Sequence, residues 1–139
     1  MRSTARCSDA DAAVAAFLGS HAADDVCRFV TSGRRSGQPH DIEIWFGVLD
    51  GRVVLVAGNG PSSDWYRNLV ADPAVRVRIA DRWLLGRAHP ASAGGERAAA
   101  GEVMGAKYGW WGGDPSIGLT IDDWTWTVPA VLVDDLAFE

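Results

Sequence analysis

The sequence has few cysteines, no long hydrophobic run and no clustered histidines. Cys7 and Cys27 are its only cysteines, too few for a disulfide scaffold and typical of a chain with reduced thiols. No apolar run approaches the roughly 18 residues of a membrane-spanning helix, and the N-terminus has no secretory signal pattern. His21, His40 and His89 lack metal-ligand spacing. We therefore predict a cytoplasmic protein with no membrane span and no bound metal.

The positive charge of the chain comes almost entirely from arginine. Of its 13 basic residues only Lys107 is a lysine, and the formal net charge is −5. A negative total argues against a nucleic-acid-binding protein. Arginine binds phosphates and carboxylates through paired hydrogen bonds. With 139 residues, 47% of them hydrophobic and 22% charged, the chain is predicted to fold as a single domain over residues 1–139.

The hydrophobic pattern alternates with the period of a β-strand along much of the chain. We predict about six short strands, over residues 26–31, 41–46, 53–57, 75–79, 83–88 and 124–133. Helices are predicted over residues 9–19 and 95–108, and in a short segment that buries Trp65, Tyr66, Leu69 and Val70. Asp50-Gly51 predicts a tight hairpin. Hairpin-linked strands without a βαβ repeat indicate a mainly β (α+β) fold, an antiparallel barrel with peripheral helices.

A glycine- and arginine-rich turn follows the first predicted strand, over residues 31–37. Gly33 and Gly37 allow the backbone to approach a ligand closely, and Arg34 and Arg35 supply fixed positive charge. These residue types suit an anion such as a phosphate. An ordinary solvated β-turn explains the same residues equally well.

A second loop, over residues 58–63, leads from a predicted buried strand into the helix that carries Trp65. A glycine loop at a helix N-terminus favours an anion, because free N–H groups and the helix dipole point at it. Capping by Ser62 or Ser63 is the simpler alternative, but it leaves the preceding Gly58-Asn59-Gly60 unexplained. The two loops together favour a phosphate-bearing ligand.

Four segments carry a family resemblance: residues 31–40, 42–46, 63–69 and 72–73. They resemble the deazaflavin-dependent nitroreductase and quinone reductase family, within the flavin and deazaflavin split-barrel superfamily that includes pyridoxamine-phosphate oxidases. The resemblance covers residues 26–90 well. It implies a split β-barrel with an N-terminal helix or arm over residues 1–20, a cofactor-binding core over residues 26–90, and a helix and closing strand over residues 91–139.

The resemblance also implies a cofactor and a reaction. In similar proteins coenzyme F420 lies across the barrel, and reduced F420 transfers a hydride to a small organic acceptor such as a quinone, a nitro compound or an enone. Arg34 and Arg35, with Arg67, are predicted to contact its anionic tail. The predicted cofactor-binding residues are Ser32, Gly33, Arg34, Arg35, Ser36, Gly37, Gln38, Pro39, Ile42, Glu43, Ile44, Trp45, Ala57, Gly58, Asn59, Gly60, Ser63, Asp64, Trp65, Arg67 and Asn68.

The chain departs from this family pattern at two positions. Many relatives carry lysine in place of Arg35, and some carry Pro-Leu in place of Glu43-Ile44, which puts a carboxylate near the expected cofactor ring. The C-terminal third is where we expect the acceptor pocket. Its candidate residues include Trp110, Trp111, Trp124 and Trp126.

Three functional alternatives remain open at this point. The same barrel could bind FMN, whose single phosphate also suits the arginine turn; it could be a non-catalytic F420 carrier; or it could be a ligand-binding barrel. Tyr66 and Tyr108 are the candidate catalytic proton donors, with solvent as the alternative. The predicted partner is a small-molecule electron acceptor, and a homodimer is a further prediction.

Overall fold

The computed structural model describes residues 2–139, with side chains from residue 9 onward, so the prediction for Cys7 lies outside the described side chains. The strands are β1 (Cys27–Ser32), β2 (Pro39–Ile44), β3 (Gly47–Leu49), β4 (Arg52–Val56), β5 (Ala74–Ile79), β6 (Arg82–Pro90) and β7 (Ala130–Phe138). The α-helices are α1 (Arg2–Ser20), α2 (Asp64–Ala71) and α3 (Gly95–Tyr108). A 3-10 turn (Pro115–Ile117) and a π-helical turn (Asp123–Thr127) precede β7.

All seven strands form one antiparallel sheet in the order β2-β1-β5-β6-β7-β4-β3. The two edge strands, β2 and β3, are consecutive in the chain and are joined by Trp45 and Phe46 alone. Three Cα–Cα steps span at most about 11 Å, so the two edges must approach each other at this point. The sheet is therefore curled into a partly open barrel, which confirms the predicted antiparallel split barrel.

Two hydrophobic clusters lie on opposite faces of the sheet. Along β4, Val53 and Leu55 belong to the larger cluster, which also contains residues of α1 and α2. Val54 and Val56 belong to the smaller cluster, with residues of α3. Both faces of β4 are buried from Val53 to Val56, which explains the unbroken apolar sequence of these four residues. Cys27 is buried in the larger cluster, and this burial raises the pKa of its thiol to about 12.

Several predicted elements have the expected bounds. Helix α3 occupies residues 95–108, and Asp50-Gly51 joins β3 to β4. The φ angles of Asp50 and Gly51 are +51° and +74°, and positive values at both central residues are the signature of a tight type I′ turn. Among the described residues, no helix is both long and apolar enough to cross a membrane.

The structure also corrects four predictions. The strand predicted over residues 124–133 is wrong: the π-helical turn occupies its first part, and β7 begins only at Ala130. The short β3 raises the number of strands from six to seven. Helix α1 extends well before residue 9. Val70 is 58% exposed, because it falls outside the face of α2 that buries Asn68 and Leu69.

Candidate cofactor-binding site

The glycine–arginine turn between β1 and β2 is fastened to α2. The N–H of Gly37 donates to the carbonyl of Gly33 (2.8 Å), which closes the turn. The backbone N–H and the Nη1 of Arg34 both donate to Oδ1 of Asn68, at 3.1 and 2.8 Å. The Nη2 of Arg34 also pairs with the carboxylate of Asp64 (3.2 Å). The turn and the start of α2, which are far apart in sequence, therefore form one unit.

Arg34 braces this unit, because its side chain links the turn to α2, whereas the neighbouring Arg35 and Arg67 make no such link. Asn68 is buried and donates its Nδ2 to the hydroxyl of Thr31 (3.2 Å), which completes the link from β1 to α2. Arg35 in the turn and Arg67 in α2 are exposed, and neither hydrogen bonds nor pairs with any described side chain. Of the three arginines predicted to contact the cofactor tail, these two have unengaged guanidinium groups.

The loop before α2 leaves the helix without a side-chain cap. The Ser63 hydroxyl donates to the carbonyl of Gly60 (3.0 Å) and caps nothing, so the alternative explanation by capping is not observed. The N–H of Gly60 in turn donates to the carbonyl of the buried Ala57 (2.9 Å). The first N–H groups of an uncapped helix keep their capacity to bind an anion.

A groove of about 370 Å³ lies between β2 and the loop before α2. We call it the ring groove. Seven predicted cofactor-binding residues line it: Ile42, Glu43, Ile44, Gly58, Asn59, Ser63 and Trp65. Trp111, Asp114 and Trp124 complete its aromatic and acidic walls, and Trp45 lines an adjoining cavity of about 290 Å³ that shares Glu43, Ile44, Trp111 and Trp124.

Other predicted residues lie elsewhere. Ser32, Gly37 and Pro39 line a separate cavity of about 300 Å³, together with residues of β5 and β6. Ala57 is fully buried. The structure therefore brings β2 and the loop before α2 together at one groove. The residues of the arginine turn do not line this groove: Arg34 links the turn to α2, and Ser32 and Gly37 line a separate cavity.

Trp45 is the centre of an aromatic cluster at the end of the ring groove. Its ring stacks on that of Tyr108, with centroids 4.4 Å apart and planes 9° apart. Trp111 and Trp124 meet Trp45 edge to face, at 5.4 and 5.9 Å. Edge-to-face and offset-stacked pairs are the favoured aromatic geometries. The C-terminal tryptophans predicted for the acceptor pocket thus contribute Trp111 and Trp124, whereas Trp110 is 74% exposed.

Arg97 holds the turn that carries Trp124, a contribution that the sequence analysis missed. Its guanidinium donates to three backbone carbonyls, those of Thr125 (2.7 Å), Val128 (2.9 Å) and Trp124 (3.2 Å). Burial lowers the pKa of Arg97, but the ordinary value is so high that the group stays charged. No local signal marks this role, because the three partners lie 27 to 31 residues further along the chain.

The two predicted catalytic tyrosines are not equivalent. The Tyr108 hydroxyl donates to the carbonyl of Asp25 (2.6 Å) and accepts from the N–H of Phe46 (3.3 Å), and the residue is 3% exposed. Burial raises the pKa of Tyr108 to about 12. This placement gives Tyr108 a structural role and argues against its predicted role as a proton donor. Tyr66 is half-buried on α2, and it lines neither cavity at the ring groove.

The chain matches the model of a protein family described as F420H(2)-dependent quinone reductase, over residues 6–109. It belongs to this family. Membership confirms the prediction of an oxidoreductase that depends on reduced F420, with F420 as its cofactor. The same membership confirms the resemblance noted for the segments of residues 26–90.

Solved structures with the same fold share little sequence with this chain. An F420-H2 dependent reductase is 21% identical, with a TM-score of 0.63, over 80% of this chain and 95% of that one. A structure described as a domain-swapped dimer is 22% identical, with a TM-score of 0.63, over 80% and 81%. A Listeria innocua protein described as a pyridoxamine 5′-phosphate oxidase is 13% identical, with a TM-score of 0.61, over 92% and 96%. These likenesses support the split-barrel fold.

Proposed function

We propose that the ring groove of this F420-dependent reductase holds the deazaflavin ring, and that the anionic tail leaves it toward Arg35, Arg67 and the start of α2. One observation carries the proposal. Strand β2 and the loop before α2, which the sequence marks independently, line the same groove.

The residues present fit both ends of this cofactor. A planar ring system requires an apolar, aromatic cavity with few polar groups, and Ile42, Ile44 and Trp124 provide such walls. A chain of anionic groups requires donors and positive charge, which the uncapped start of α2 and the two unengaged arginines supply. In this arrangement Arg34 positions α2 against the turn and leaves tail contacts to its neighbours.

When bound, reduced F420 supplies the hydride. The chain orients the ring against β2, and its indole walls exclude water from the face where an acceptor lies. The acceptor, a quinone, nitro compound or enone, gains two electrons with the hydride and takes one proton from solvent. We assign that proton to solvent because Tyr108 is engaged by the backbone and Tyr66 does not line the groove.

Titration of F420 and of FMN into the apo-protein tests the cofactor site. We expect F420 to bind and FMN to bind much more weakly, because a single phosphate reaches fewer donors than a polyanionic tail. The double variant Arg35→Ala with Arg67→Ala should weaken F420 binding at least about tenfold, which is the loss of one charged hydrogen bond. Arg87→Ala, an exposed arginine on β6, is the matched control. Unchanged F420 affinity in the double variant would contradict the tail assignment.

Turnover with a panel of electron acceptors separates the reductase from a carrier. Oxidation of reduced F420 by at least one quinone, nitro compound or enone is the expected result. Tight F420 binding with no turnover on any acceptor would instead support a non-catalytic carrier.

We also propose that the protein forms a homodimer, which the domain-swapped relative supports. Light scattering at several protein concentrations will test this proposal. Cytoplasmic location stays a prediction.

A further inference from the structure

The walls of the ring groove carry negative charge. Glu43 on β2 and Asp114 near the 3-10 turn line the groove, and no lysine, arginine or histidine is among the described residues that line it or the adjoining cavity. The arginines assigned to the cofactor tail lie outside this lining. The site is therefore divided into an acidic, aromatic groove and a separate basic region.

Glu43 is the less engaged of the two carboxylates. Its neighbour across the strand pair is Arg28 on β1, but the Nε of Arg28 donates to Asp41 instead (3.0 Å). No described side chain forms an ion pair with Glu43. Asp114 caps the 3-10 turn, because its Oδ1 accepts hydrogen bonds from the backbone N–H and the hydroxyl of Ser116 at 3.1 and 2.6 Å.

On the side of β1, Glu43 lines another cavity together with Arg28 and Arg78, whereas no basic residue is among the described residues that line the ring groove. On the groove side, the charge of Glu43 therefore acts on a ligand without a basic residue in between.

The aromatic walls of the groove, like the charge of Glu43, favour a positively charged ligand. Trp65, Trp111 and Trp124 line the groove. The faces of indole rings attract cations, and aromatic surfaces of this kind bind quaternary ammonium groups in other proteins. A neighbouring carboxylate strengthens that attraction and repels an anion of the same shape.

We propose that this groove selects electron acceptors that carry a positive charge on or beside a planar ring. The inference rests on the proposed function, since it deepens the identity of the acceptor that the ring groove receives. Glu43 is the main specificity-determining residue, and Asp114 adds to the field. Anionic acceptors of the same ring system are poor substrates, because they meet the carboxylates of Glu43 and Asp114 in a groove whose described lining has no basic residue.

Three naphthoquinones with one ring system test this selection. They carry a trimethylammonium-methyl group, a sulfonate-methyl group or a methyl group, and each is reduced to its hydroquinone by one hydride and one solvent proton. With wild-type protein we expect kcat/KM to fall from the cationic to the neutral to the anionic quinone. In Glu43→Gln, the ratio of kcat/KM for the cationic quinone to kcat/KM for the anionic quinone should fall about 3- to 10-fold relative to the wild type. The neutral quinone is the reference, because its own change reports any effect of the variant on the cofactor or the fold.

The ratio of variant to wild type for each quinone removes differences in their reduction potentials. Asp81→Asn is the matched control, since it makes the same change of charge at an exposed position in the β5–β6 turn and should leave all three ratios near one. Raising the salt concentration should shrink the preference of the wild type and have little effect on that of Glu43→Gln.

The failures of the two proposals are distinguishable. Direct titration shows whether F420 binds at all, and absence of binding removes the proposed function. If F420 binds and the three quinones are reduced with equal kcat/KM, or the anionic quinone is preferred, the inference is overturned and the proposed function stands. An equal loss for all three quinones in Glu43→Gln also overturns it, because Glu43 would then act on the cofactor or the fold.

Discussion

Single side chains with several hydrogen-bonding groups connect distant parts of this molecule. Arg97 donates hydrogen bonds to three carbonyls of one turn, and Arg34 joins a β-turn to α2. A guanidinium has five N–H donors in a rigid plane and stays charged when it is partly buried, so it can bridge backbone groups that lysine cannot satisfy together. An arginine in a glycine-rich turn therefore has two uses, ligand binding and bracing.

Tyr108 also connects distant parts of the chain, because its hydroxyl bonds to the backbone of Asp25 and of Phe46. Removing its hydroxyl in Tyr108→Phe leaves the carbonyl of Asp25 and the N–H of Phe46 without this partner, so we expect the free energy of unfolding to fall by about 1–3 kcal/mol. Urea denaturation measures this loss. Turnover per folded molecule should stay within about twofold. A large loss of turnover at unchanged stability would restore Tyr108 as a proton donor.

Tyr66→Phe is the companion variant. Tyr66 is half-buried, and its hydroxyl makes no hydrogen bond to the described residues, so the free energy of unfolding should change by less than about 0.5 kcal/mol in this variant. Turnover should also be unchanged if solvent supplies the proton. A pronounced loss of turnover in this variant alone would assign the proton to Tyr66.

At the scale of elements, local sequence predicted the helices and strands that have one clear period. Helix α3 and the strands β1, β2, β4, β5 and β6 are of this kind. The segment before β7 shows why the rest could not be predicted. Trp124 and Trp126 alternate with Thr125 and Thr127 as in a strand, yet the segment folds as a π-helical turn. Its conformation depends on Arg97 and on α3, which no local pattern reveals.

The candidate site, like the fold, has parts that local sequence predicts and parts that depend on distant residues. Two of the segments that line the ring groove were expected at the cofactor: the loop before α2 because of its glycines at a helix start, and β2 because of the family resemblance. The bracing role of Arg34 was missed, since it depends on Asn68 and Asp64 in a later helix. The acidic contribution of Asp114 was also missed, because the sequence offers only a loop aspartate there.

A glycine in α3 makes the close contact with the π-helical turn possible. A Cβ at Gly101 would lie 2.5 Å from ring atoms of Trp126 and 2.6 Å from the carbonyl of Thr125. We expect Gly101→Ala to lower the free energy of unfolding by about 1–3 kcal/mol through overpacking, despite the better helix propensity of alanine. Gly95→Ala is the control, because nothing lies within 4 Å of its Cβ, and it should be neutral or slightly stabilising. Equal effects of the two changes in urea denaturation would contradict this packing.

We expect the pairing of β6 with β7 to depend on pH through His89. Its Nε2 contacts the carboxylate of Asp134 (2.6 Å) and its Nδ1 contacts the carbonyl of Pro90 (3.0 Å). Partial burial lowers the pKa of His89, but the bonds to Pro90 and Asp134 outweigh it, and the net shift is upward.

This upward shift fixes the sign of the pH effect. The imidazolium stabilises the fold fully below the unfolded pKa of about 6.5, and that contribution is lost as the pH rises through the higher folded pKa. The free energy of unfolding should therefore decline above pH 6.5 more steeply in the wild type than in His89→Gln. Urea denaturation from pH 5.5 to 8.5 measures both profiles, and parallel profiles would contradict the role of His89.

At the scale of the whole molecule, the curled sheet supports the proposal that one groove serves a cofactor and an acceptor. The chain passes from one sheet edge to the other through Trp45 and Phe46. The seam of the barrel, the ring groove and the aromatic cluster therefore lie in one region. A ligand there contacts β2, α2 and the C-terminal turns together, and its binding should stabilise the entire fold.

This linkage gives a quantitative expectation. A ligand that binds only the folded state adds about 2.7 kcal/mol to the free energy of unfolding at a free concentration of 100 times its Kd. Urea denaturation at increasing F420 concentration should follow this logarithmic rise, with a displaced curve in the Arg35→Ala, Arg67→Ala double variant. Hydrogen exchange should slow on β2 and on the first turn of α2, where ligand contacts suppress local opening. If FMN at the same free concentration produced an equal rise, the groove would be recognising a flavin-like ring alone, and the assignment of the tail to the two arginines would fail.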